Sequence, residues 1–168
     1  MRMNHQDEEL PNTSGDRKEM KTLVLGLGNL LLADDGAGIK IAQKIKEINP
    51  DIAVMETCEA GITLLDYIEG YDKLVIIDSI KTEQGKVGEL YKLDLKDFKP
   101  AMDSSLSHGI DIATAFEVGE GMGYRMPQFV SIYAVEIKDN STFAEECTQE
   151  VEERIPLITK QIIEEEKL

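Results

Sequence analysis

From residue 22 onward, short apolar runs alternate with stretches whose apolar residues recur every three or four positions. The runs 22–27 (TLVLGL), 52–56 (IAVME), 73–78 (KLVIID), 87–93 (VGELYKL) and 129–136 (FVSIYAVE) are predicted strands. The first and third are continuously apolar, as expected when both faces of a parallel sheet are covered. Between them, 36–48 sets Ile41, Ala42, Ile45 and Ile48 on one helical face, with Lys40, Gln43, Lys44 and Glu47 outside. Residues 61–69 repeat the pattern with Leu64, Leu65 and Ile68, and 106–118 with Ile112, Ala115 and Phe116. A last helix over 148–166 carries Val151, Ile155, Ile158 and Ile162. Its Pro156 lacks an N–H and must kink it or mark a first turn. The alternation predicts an α/β fold, a three-layer sandwich with a central five-stranded sheet and helices on both faces.

Residues 1–20 break this rhythm. They are polar and aperiodic, with Pro11 and Gly15, and are expected to form a disordered tail, leaving 21–168 as one α/β domain. A chain of 168 residues with 42% apolar content can bury a core of that size. Thirty-three acidic against eighteen basic side chains give a formal charge of −15. That balance argues against nucleic acid or an anionic membrane surface as a partner. No apolar run approaches the roughly 20 residues that span a bilayer, and the N-terminal segment has no signal-peptide core. Cys58 and Cys147 form no CxxC pair, so a disulfide framework or zinc knuckle is not expected. The chain reads as cytoplasmic, and the lack of a long apolar stripe reads as monomeric.

The glycine-rich stretch GLGNLLLADDGAG, residues 26–38, follows the first strand and invites a dinucleotide-binding reading. Gly26 and Gly28 fill the first two glycine positions of G-x-G-x-x-G, but the third is Leu31. Asp34 and Asp35 stand where a phosphate would meet the helix start. At ~4 Å and an effective dielectric of 20, each like-charge contact costs on the order of 4 kcal/mol. A nucleotide is excluded on that ground. One aspartate, taken to be Asp34, suits the helix start as a cap. Asp35 is then the carboxylate left to face the crevice above the strand ends.

Two further residues bear on that crevice. Asp78 ends the run KLVIID, and reads equally as a cap or as a rim ligand. His108, in SSLSHGIDIATAF, opens the helix behind the fourth strand; alone it would pass for a polar first-turn residue. Because each follows a strand or opens the helix behind it, Asp35, Asp78 and His108 are expected on one rim. Two carboxylates and an imidazole suit a borderline divalent ion such as nickel or zinc, with open positions for water or substrate. No GxSxG, HExxH or cysteine–histidine pairing is present.

Taken in order, GLGNLLLADDGAG, LVIIDSI and SLSHGIDIA resemble the hydrogenase maturation endopeptidases, from about residue 21 to 160. The resemblance implies a central, mainly parallel sheet, and metal binding at the positions of Asp35, Asp78 and His108. It implies as substrate and partner the large-subunit precursor of a nickel–iron hydrogenase, whose C-terminal extension is removed after nickel insertion. The nickel is then supplied by that precursor, though other divalent ions could occupy the site. A D-G-G-T-x-G loop of many members reads ETCEAG here, residues 56–61; Glu56 keeps the acid and Gly61 the glycine of a loop implied in substrate recognition. A proline common after the last strand is missing from AVEIKDN. With FAEECTQEVEERIP, this end is more similar to proteases of methanogen-type hydrogenases, including those that reduce a deazaflavin coenzyme. The alternatives are a non-catalytic nickel-binding chaperone or sensor, and a small-molecule-binding domain in which the acids are only caps.

Overall fold

The computed structural model describes residues 19–97 and 109–168. Most of the expected tail and His108 lie outside the described residues. Five strands, β1 (Thr22–Leu27), β2 (Ala53–Thr57), β3 (Lys73–Ile80), β4 (Leu90–Leu93) and β5 (Phe129–Glu136), form one sheet in the order β2-β1-β3-β5-β4. All neighbours pair in parallel except β4, which runs antiparallel along β5.

Period-two alternation explains why the strands are apolar throughout. Val24, Val75, Ile77, Tyr133 and Val135 face α1 (Ala37–Ile48) and α5 (Ile155–Glu166). Leu23, Leu25, Leu27, Leu74, Ile76 and Ile132 face the other way. There they pack against a 3-10 turn over Gly61–Leu64, α2 (Leu65–Ile68) and α3 (Gly109–Gly121). Helices cover both faces, as the alternation predicts.

Beyond shifts of one to three residues at the ends of other elements, three elements differ in kind from the sequence reading. The fourth strand begins at Leu90 rather than 87, because Gly88 takes φ +80° and the Glu89 N–H closes a turn onto the Lys86 carbonyl. The segment 61–69 starts as a 3-10 turn and completes only one α turn. The last helix is two: α4 (Gln149–Glu152) stops, and α5 restarts with Pro156 in its first turn, where a missing N–H costs nothing.

Candidate functional site

The sheet order places a crevice between β1 and β3. From β1 the chain passes through α1 to β2 on one side, while β3 lies on the side of β5 and β4. Open α/β sheets bind ligands where neighbouring strands part in this way. The β1–β3 pairing ends at Gly26 opposite Ile77, yet β3 continues along β5 through Ile80 opposite Glu136. Asp78 is therefore the first β3 residue beyond its paired partner in β1, not the end of its strand. It is buried, at 1% exposure.

Asp35 lies on the β1–α1 turn and is buried. Gly28 makes that turn possible: its φ is +138°, and a Cβ there would stand 2.0 Å from the Asp35 carbonyl oxygen. Gly38 lets α1 settle onto the sheet, since a Cβ would lie 2.4 Å from the Ile77 carbonyl oxygen. The Asp35 carboxylate accepts the Asn29 N–H at 2.9 Å and the Ser79 hydroxyl at 3.2 Å. The Ser79 N–H donates to Asp78 Oδ1 at 2.8 Å. Ser79 thus touches both acids, and sequence reasoning missed it. Its signal was its place after Asp78: alternation turns residue 79 toward the α1 face, where Asp35 approaches.

Asp34 does not cap the helix start, contrary to expectation. Neither the 3-10 turn Ala33–Gly36 nor α1 has a side-chain cap. Instead the fully buried Asp34 carboxylate accepts N–H groups from Lys138 (3.1 Å), Asp139 (3.0 Å) and Thr148 (2.6 Å), and the Thr148 hydroxyl (3.0 Å). Four donors from a distant loop outweigh one local amide, especially to a charged acceptor.

The proposed third member, His108, is outside the described residues, so its place beside the acids is untested. The reason offered for it needs correction. Because β4 is antiparallel, its C-terminal end points to the opposite edge, and following the fourth strand does not place a residue on this rim. Glu56 lies within β2 rather than in the loop after it, is exposed, and accepts from Gln43 Nε2 at 3.0 Å. Gly61, at φ +68°, opens the following 3-10 turn. Among the described residues no group of three His, Cys, Asp or Glu side chains is placed to hold a metal ion. The two acids on the rim nevertheless suit a divalent cation by donor type and disfavour a phosphate.

Cys147 lies behind the turn, its thiol donating to the Ala33 carbonyl at 3.5 Å. Burial pushes that thiol up to about 11, against the nearby Lys40 ammonium. It stays protonated at neutral pH and is a poor nucleophile. Cys58 is exposed and unbridged. No helix among the described residues is long and apolar enough to cross a membrane.

Ser79→Ala removes one donor from a buried carboxylate. It is expected to lower unfolding free energy by about 1–2 kcal/mol, read from urea unfolding monitored by circular dichroism.

Against known proteins, the sequence model of the hydrogenase maturation protease family matches residues 39–165. The chain is 28% identical over 74 residues to the hydrogenase expression/formation protein HupD of Rhizobium leguminosarum, covering 42% of this chain and 37% of that one. It is 34% identical over 74 residues to the hydrogenase 2 maturation protease of Escherichia coli, covering 42% and 45%. Those matches span less than half the length of either relative. Among solved structures, the hydrogenase maturating endopeptidase HybD from E. coli superimposes with a TM-score of 0.72 at 25% identity, over 86% of this chain and 91% of that one. Family match and fold agree over most of the described residues, and the chain belongs to the hydrogenase maturation protease family.

Proposed function

We propose that this chain is an endopeptidase that removes the C-terminal extension of a nickel–iron hydrogenase large-subunit precursor after nickel insertion. The observation that supports the reading is that Asp35 and Asp78 each accept a hydrogen bond from Ser79, in a chain of this family. Their carboxylates are oriented by fixed donors from Asn29 and Ser79, so little reorganisation is needed when a cation arrives. In this reading nickel is part of the substrate, held by the precursor's cysteines, and Asp35, Asp78 and His108 recognise it. A divalent ion so placed can polarise a carbonyl or an attacking water. The chain's own share is to dock the ion, fix the scissile peptide beside it and keep the surroundings preorganised. The working unit is a single chain. In the same reading the 56–61 segment selects the partner, and the missing proline together with FAEECTQEVEERIP supports a methanogen-type hydrogenase as that partner.

The test mixes the protein with nickel-loaded large-subunit precursor and follows the precursor by mass spectrometry. Loss of a C-terminal peptide is expected with wild type and not with His108→Ala. An unchanged precursor mass with both proteins, alongside nickel binding by wild type alone, would instead favour the chaperone.

A further inference from the structure

We propose that Asp34 is a positioning residue, whose buried carboxylate clamps the 137–148 loop onto the β1–α1 turn and thereby fixes the Asp35 carboxylate. Asp34 and Thr148 both stand at helix starts and both are natural caps, yet neither caps its own helix. They bond to each other instead, through the Thr148 N–H and hydroxyl. Lys138 and Asp139 add two N–H donors from the far side of the same loop. Backbone bonds continue the seam: Ala33 N–H to Ala144 O at 2.8 Å, Ala144 N–H to Leu31 O at 3.1 Å, and Asp34 N–H to Asp139 O at 2.9 Å.

The seam holds a conformation the turn would not keep unaided. Ala33 sits at φ +46°, a region non-glycine residues seldom adopt, and Asp35 is two residues on. Released from the clamp, Ala33 relaxes and carries Asp35 away from the Asn29 N–H and Ser79. An asparagine at 34 keeps the size but turns an NH2 group toward donors, so it cannot satisfy all four.

Asn29 reports on Asp35 directly, because its N–H donates to that carboxylate. Native-state amide exchange followed by NMR is expected to show Asn29 exchanging at least tenfold faster in Asp34→Asn, and several-fold faster in Thr148→Val. Amides of Leu23 to Leu25, which open only on global unfolding, should speed up by no more than the loss of global stability measured in the same variant, and Asn29 by more than that. Asn29 exchange at the wild-type rate in the folded variants overturns the proposal, and if Asp34→Asn does not fold, Thr148→Val decides. The second arm rests on the endopeptidase reading. Cleavage per folded molecule should fall at least tenfold in Asp34→Asn with KM within threefold, while Glu166→Gln, at the opposite edge of the sheet, keeps its rate despite lower stability. An equal rate loss in Glu166→Gln would make Asp34 merely structural. A wild type that cleaves no precursor removes the endopeptidase reading, and the Asn29 exchange still judges the clamp.

Discussion

Asp78→Asn should leave a folded protein that processes its precursor on the order of 10²–10³-fold more slowly. The substitution keeps the side chain's size and an oxygen able to accept the Ser79 N–H, so the buried strand is little disturbed. It removes a unit of negative charge at the point where the proposed function needs a cation to be received. Asp35→Asn should have a similar effect, and the double variant little more than either, because groups acting on one centre are not additive. The measurement is single-turnover cleavage of nickel-loaded precursor, with circular dichroism showing an unchanged fold. Wild-type cleavage by Asp78→Asn would end the assignment of this crevice as the active site.

The fold was legible because its signals are local. Continuous apolar runs at 22–27 and 73–78 carry side chains for two cores, one on each face, and both became central strands. Residues 129–136 matched the fifth strand at both ends. Less legible was β4, whose four residues pair antiparallel at an edge; direction is set by where the partner strand lies, which no period in 87–93 encodes. The same gap undermined the placement argument for His108, which assumed that every strand points one way.

Asp35 and Asp78 drew notice in the sequence because a charge beside an apolar run is conspicuous; the structure adds that both bond to Ser79. Asp34 was read as a helix cap, since its true partners stand 104 to 114 residues away and leave no mark at helical or strand spacing. Ser79 was passed over for a related reason: a serine after a strand acid looks like turn chemistry until the turn from β1 is laid beside it. Long-range hydrogen bonds to buried carboxylates are what a single sequence conceals best.

Another of those carboxylates governs stability rather than chemistry. Glu166→Gln is expected to lower unfolding free energy at pH 7 by about 3 kcal/mol, the lower end of the range for breaking a buried ion pair, and the melting temperature by roughly 6–12 °C. Near the end of α5, Glu166 meets Lys73 of β3 at 2.8 Å, Lys92 of β4 at 2.8 Å and the Tyr133 hydroxyl of β5 at 2.7 Å. One side chain thus ties the last helix to three strands. Burial opposes its ionisation, but the donors from Lys73, Lys92, Tyr133 and Ser131 prevail and hold it at about 2, below the ordinary 4.5. Burial, together with the Glu166 carboxylate and that of neighbouring Glu165, which both accept its hydroxyl, pushes the Tyr133 phenol well above its usual range. Lys73 is mostly buried, so glutamine leaves it without its counter-charge, while half-exposed Lys92 is compensated by water. Because the folded-state carboxyl is more acidic than the unfolded one, its stabilisation is complete above about pH 4.5 and is lost as pH falls toward 2. The gap between wild type and Glu166→Gln should therefore be full at pH 7 and close across that window. Thermal melts from pH 7 to pH 2 would show it, and a gap that stayed constant or widened on acidification would place the stabilisation elsewhere than in this ion pair.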